Sequence, residues 1–188
     1  MLAPEAFKQL TKPSRSPVLE IDGKRYTESG FLFELLLEKY NNVYTYSPEE
    51  LERIKFFLHF TEGSLQPPLV MLLVSSAAST HAPVFIRFAI KAFMNKIDQA
   101  YALPAAVENF EYLESELETH DYFVNNKISP ADIILSFPIM TGGSRVENFD
   151  ANYPRLAKWK RLLEEDLDYK EASKRVRAAE EKAFGTKL

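Results

Sequence analysis

The chain has 188 residues, enough for one good core or for a small domain docked on a larger one. Hydrophobic residues make up 46% and aromatics 13%, which argues against disorder, and 23 Lys and Arg against 27 Asp and Glu leave a net charge of −4. That balance gives no electrostatic reason to expect nucleic acid or an anionic membrane as partner, and the absence of cysteine excludes disulfides, thiolate metal sites and cysteine nucleophiles.

The three histidines, His59, His81 and His120, lie far apart and lack the spacing of a zinc site, so no metal is expected. Met1 to Ser16 contains no apolar run of the signal-peptide kind. The most apolar stretch, Leu65 to Ala78, includes Pro67 and Pro68 and is shorter than the roughly 20 residues a membrane span requires. A cytoplasmic protein is the expectation.

In chain order, Pro4 to Leu10 has the composition of one or two helical turns, stopped by Lys12-Pro13 because the residue before proline is pushed out of the α region. Val18 to Ile21 is a strand candidate. Asp22-Gly23 is a two-residue hairpin signal, and Lys24 to Tyr26 returns as a second strand. From Ser29 to Lys39 the pattern turns helical, with Phe31, Leu35, Leu36 and Tyr40 on related faces. Residues 41–47 are a polar break. A domain boundary is expected there, between residues 1–43 and 47–188.

Everything after the break reads as helix. Ser47-Pro48-Glu49-Glu50 combines a serine cap, proline in the first turn and carboxylates at the positive end of the helix dipole. Leu51, Ile54, Leu58 and Leu65 recur at helical spacing with Phe57 widening the apolar stripe, and Pro67-Pro68 should kink or interrupt it. Pro83 opens the next helix, with Ile86, Ile90, Phe93 and Ile97. Another follows Leu103-Pro104, with Ala106, Phe110, Leu113 and Leu117. Residues 131–140 are apolar nearly all round and mark a buried central helix. Pro154 starts one with Leu156, Trp159 and Leu163 inward, and a solvated charged helix runs from Tyr169 to about Phe184. The fold class is therefore α+β, predominantly α.

Four constellations carry the functional reading. In Arg15-Ser16-Pro17-Val18 an X-Pro bond stands at the entrance to a strand. A cis bond there can turn the backbone of Ser16 outward to pair with an extended peptide; an ordinary trans edge marker is the plainer alternative. In Thr27-Glu28-Ser29-Gly30 a carboxylate and a hydroxyl stand beside unpaired helix N–H groups. They suit the ammonium and carboxylate of an amino acid, or act simply as a cap. Ser129-Pro130-Ala131-Asp132 is a capping box with Ile128 and Ile133 as its hydrophobic staple, a structural device. Glu62 and Gln66, in Thr61-Glu62-Gly63-Ser64-Leu65-Gln66-Pro67-Pro68, are one helical turn apart. They face either an inter-domain cleft or solvent and a dimer partner.

The order of these pieces resembles the glutathione S-transferase family, from about residue 5 to the last helix. Ser-Pro-Val-Leu, a hairpin, Thr-Glu-Ser-Gly and an amphipathic helix are similar to the second half of its thioredoxin-like N-terminal domain. The capping box before a buried helix is similar to the marker of its helical C-terminal domain. Residues 60–69, with Ser136-Phe137-Pro138 and Tyr153-Pro154, look like a fungal subgroup. The resemblance implies that glutathione is the co-substrate. It places Ser16 and Pro17 against the cysteinyl backbone, Glu28 and Ser29 at the γ-glutamyl end, and Arg15 at the glycyl end. It also implies detoxifying chemistry, either glutathione conjugation to hydrophobic electrophiles or hydroperoxide reduction, in a homodimer. The alternative is a non-catalytic dimerisation or scaffold module. The family's opening strand-helix-strand has no counterpart in these 188 residues, so the thiolate-activating residue has no position to be carried to and no catalytic residue is assigned.

Overall fold

The computed structural model describes residues 16–40 and 45–184, so the expected turns at 4–10, most of the break at 41–47 and the candidate Arg15 lie outside the described residues. Strands β1 (Val18–Ile21) and β2 (Lys24–Thr27) pair antiparallel, with Val18 opposite Thr27 and Ile21 opposite Lys24. Asp22 and Gly23 join them with φ of 52° and 76°, the positive values a two-residue turn of this kind requires. Glu20 and Arg25 form a cross-strand ion pair at 2.8 Å.

Helix α1 (Ser29–Tyr40) follows directly. Its buried residues are Leu32 and Leu37, Leu35 and Leu36 are half-buried, and Phe31 and Tyr40 are exposed. The segment is apolar on nearly every side, and spacing alone does not choose a stripe in such a helix. Helix α2 (Pro48–Phe60) starts at the expected capping box. The Glu50 amide donates to the Ser47 hydroxyl at 3.2 Å and the Ser47 amide to the Glu50 carboxylate at 2.8 Å. That amide, together with Asn125, holds the Glu50 carboxyl below its ordinary value.

The expected interruption at Pro67-Pro68 takes an unexpected form. The chain passes from α2 through a single wide π-turn (Thr61–Leu65) into α3 (Gln66–His81), and both prolines sit in the first turn of α3. Proline at 68 offers no N–H to the Ser64 carbonyl, and the side chain of Asn109 donates there instead, at 2.9 Å. The same device recurs after α4 (Arg87–Ile97). A π-turn (Asp98–Ala102) leads straight into α5 (Leu103–Glu116), with Pro104 in its first turn. Pro83 does not open α4. Residues 83–86 form a turn in which the Ile86 and Arg87 amides both donate to the Pro83 carbonyl at 3.0 Å, and the helix begins at Arg87.

Helix α6 (Pro130–Gly142) lies at the centre, and a short 3₁₀ turn (Gly143–Arg145) ends it. After α7 (Phe149–Asn152), α8 (Pro154–Glu165) and α9 (Leu167–Phe184) complete the chain. The core joins Ile54, Phe57 and Leu58 of α2 to Phe110 and Leu113 of α5, Leu135 and Ile139 of α6, and Leu156 and Trp159 of α8.

Asp132 ties these helices together beneath the start of α6. Its carboxylate accepts from the Ser129 amide (2.9 Å), the Ser129 hydroxyl (2.6 Å), the Phe123 amide (3.0 Å) and the Trp159 indole N–H (2.9 Å). Burial pushes its carboxyl up, and these four donors pull against that shift. The capping box thus joins α6, α8 and the segment before α6 in one polar knot.

Two residues of α6 depart from the all-buried expectation. Ile133 and Phe137 are exposed, Phe137 to 69%, because one side of the central helix faces a cleft instead of the core.

Candidate functional site

The cleft lies between the hairpin with α1 on one side and the α2–α3 junction with α6 on the other. Its volume is about 750 Å³, within the range of small-molecule sites. Four of the five candidate residues line it: Ser16, Pro17, Glu28 and Ser29. Glu62 and Gln66 line it from the opposite side, which decides between the two orientations left open for them.

Local sequence explains how each polar group arrives there. The Ser16–Pro17 peptide is cis, at the mouth of β1. Glu28 ends β2's excursion and caps α1, its carbonyl accepting from the Leu32 amide at 2.9 Å. Its φ is +73°, a left-handed conformation that side-chain-bearing residues rarely adopt and that concentrates at ligand sites. Ser29 is the first residue of α1, where backbone N–H groups lack helical partners and the helix dipole is positive. Glu62 comes from the π-turn, whose extra residue offsets the side chains that follow it from simple α-helical register.

The remaining lining is apolar: Val18, Leu19, Leu32, Phe33 and Leu36 from the hairpin and α1, Ile133, Ile134 and Phe137 from α6. Sequence reasoning missed Ile133 and Phe137 as lining, having assigned them to the core. The usable signal was that residues 131–140 are apolar on more sides than packing requires. Phe33, Leu36 and Ile133 also wall a second, neighbouring hollow of about 500 Å³, completed by Tyr40, Tyr46 and Ile128.

The charges in the cleft are all of one sign. Glu28 and Glu62 are its ionisable lining residues, and no cationic side chain accompanies them among the described residues. Such a site is complementary to an ammonium group at its polar end and to an apolar body at the other. Among the described residues no three His, Asp or Glu converge as metal ligands, all three histidines are exposed, and no helix is long and apolar enough to cross a membrane.

The comparisons with known proteins agree with this architecture. The family model for the glutathione S-transferase C-terminal domain matches residues 77–166. "Glutathione S-transferase 1" of Saccharomyces cerevisiae is 30% identical over 187 residues, covering 94% of this chain and 80% of that protein. "Glutathione S-transferase 3" of Schizosaccharomyces pombe is 29% identical over 164 residues, covering 86% of this chain and 67% of that one. Among solved structures, a glutathione S-transferase from Actinobacillus pleuropneumoniae superposes with a TM-score of 0.71 at 20% identity, over 92% of this chain and 74% of that one. A sphingomonad glutathione S-transferase complexed with glutathione superposes at 0.66 and 20% identity, over 90% and 78%. From the extended match to the yeast enzyme, the cis-proline strand, the capped α1 and the helical domain behind them, the chain belongs to the glutathione S-transferase family.

Proposed function

We propose that the cleft binds glutathione and that the chain works in the cytoplasm as part of a homodimeric glutathione S-transferase, conjugating glutathione to hydrophobic electrophiles or reducing hydroperoxides. In this reading residues 1–43 belong to a thioredoxin-like unit and 47–188 form the helical unit. The main chain of Ser16 pairs with the cysteinyl backbone as an added strand would. Glu28 receives the γ-glutamyl ammonium, Ser29 and the first amides of α1 receive its carboxylate, and Arg15 meets the glycyl end. The electrophile lies against Ile133 and Phe137. Thiolate activation is assigned to no residue of this chain, and no metal enters the chemistry.

One observation carries the reading. Ser16, Glu28 and Ser29 line the same cleft as Phe33, Leu36 and Phe137. A two-substrate transfer between a charged tripeptide and an apolar acceptor needs that adjacency.

Isothermal titration with glutathione tests it. Binding in the micromolar to millimolar range is expected, weakened by about 1–3 kcal/mol in Glu28→Ala because the buried ammonium then lacks its partner. A folded, helical protein that gives no heat at millimolar glutathione removes the proposal and leaves a scaffold module.

A further inference from the structure

The charges that meet in the cleft do not balance once glutathione is seated. The tripeptide brings a single ammonium, and Glu28 takes it in the reading above; its other ionised ends are carboxylates. Glu62 lines the same cleft, and no cationic side chain lines it among the described residues. The Glu62 carboxylate makes no ion pair or hydrogen bond with any described residue. Glu62 is exposed, so water satisfies it until an apolar body fills the space beside it. Displacing that water without returning a charge or a hydrogen bond costs free energy. The acceptor is the molecule left to supply the missing cation.

The backbone fixes where Glu62 stands. It belongs to the π-turn, and the turn is held on both sides of it. The buried Thr61 hydroxyl donates to the Phe57 carbonyl at 2.7 Å, and Asn109 donates to the Ser64 carbonyl at 2.9 Å. Thr61 and Leu65 are buried, whereas Glu62 and Gln66, one position on from each, line the cleft. The π-turn packs on α6, the helix that contributes Ile133 and Phe137 to the apolar lining. Glu28 arrives from the hairpin side, so the two carboxylates belong to opposite walls.

We propose, resting on the glutathione reading of the cleft, that Glu62 selects acceptors that join an apolar body to a protonated amine. The body lies against Ile133 and Phe137, and the ammonium meets the Glu62 carboxylate and the Gln66 side-chain carbonyl. An ammonium has donors and no acceptor, so a carboxylate and an amide oxygen one helical turn apart suit it. A neutral acceptor of the same shape strips water from Glu62 and gives nothing back, and an anionic one meets a like charge. Selection therefore combines attraction of the amine with a penalty on its rivals. Glu62 sets which acceptor enters and is given no part in the bond-forming step.

Isothermal titration of the full chain with S-alkyl glutathiones tests the proposal, because each probe carries its own glutathione anchor. S-hexylglutathione is compared with analogues whose terminal methyl is replaced by an ammonium or by a carboxylate, at about 0.1 M salt. The amine is expected to bind about fivefold more tightly than S-hexylglutathione and the carboxylate about fivefold more weakly, as for an exposed charge pair. Glu62→Gln keeps the shape of the side chain. It is expected to remove the spread among the three probes and to bind S-hexylglutathione no more weakly than the wild type does. Glu28→Ala is expected to weaken all three alike, with circular dichroism checking the fold of both variants. Equal binding of the three probes by the wild type overturns the proposal and leaves the glutathione reading standing, as does a spread that survives Glu62→Gln. A Glu62→Gln variant that weakens S-hexylglutathione as much as the amine assigns Glu62 to the glutathione ammonium and overturns the proposal equally. If none of the three binds, the glutathione reading falls and this proposal falls with it.

Discussion

At the scale of single residues, the cleft is built from positions where local backbone chemistry is unusual. Glu28 holds φ +73° while carrying a side chain, a conformation that glycine adopts without steric cost. The Glu28→Gly variant is therefore expected to be more stable than Glu28→Ala by about 1 kcal/mol in thermal or urea unfolding, while both bind glutathione equally poorly. Equal stabilities would show that residue 28 is not left-handed in solution. Ser16, Pro17, Glu28 and Ser29 were legible in the sequence because a proline, a cap and a helix start are properties of a few adjacent residues. Ile133 and Phe137 were not. An isoleucine or phenylalanine in a helix reads the same whether it meets a core or a cavity, and only the surrounding fold leaves these two exposed.

Among the elements, α6 and α4 mark the two extremes of partnership. The start of α6 is held by Asp132, which gathers four donors from three parts of the chain. Asp132→Ala strands the Trp159 indole N–H and the Phe123 amide in a buried site. It is expected to lower stability by about 3–5 kcal/mol in chemical denaturation, far beyond the worth of an exposed cap. A loss under about 1 kcal/mol would mean that water replaces the carboxylate. The capping box was visible from spacing, but its long-range partners were not, since Phe123 and Trp159 lie 9 and 27 residues away. For α4 the apolar spacing was readable but its degree of burial was not: Ile90 and Ile97 are half-buried, whereas Ile86 and Phe93 are exposed.

Across the whole molecule, stability is distributed unevenly around the site. The α2–α5–α6–α8 core contains its largest fully buried side chains, Trp159, Phe57 and Phe110 among them, whereas no residue of β1 or β2 is fully buried. A two-stranded hairpin leaning on one helix opens locally at low free energy. Native-state hydrogen exchange is expected to show Leu19 and Tyr26 exchanging well before Ile134 and Leu135, which wait for global unfolding. Glutathione, if it seats on Ser16 and Glu28, should slow the hairpin amides selectively. Protection of residues 18–27 equal to that of α6 would contradict this distribution. The fold class and the helix starts were readable because capping chemistry and apolar periodicity are local. The cleft and the exposed side of α4 were not, because both arise where elements stop touching.

The two π-turns also bear on how this chain tolerates changes of length. Each holds one residue more than an α-helix would need, directly ahead of a proline. A wide turn of this kind takes up its extra residue locally, so deleting that residue would close the turn to α geometry while the helices on either side keep their facing. For α2, Ile54, Phe57 and Leu58 would stay against the core, and the change would fall on the turn itself, where Asn109 meets the Ser64 carbonyl. The wide turn between Phe60 and Pro67 is therefore a place where the chain accommodates one residue of length without re-facing its helices. The exposed turn at residues 83–86 is where additions and losses can accumulate without disturbing the cleft.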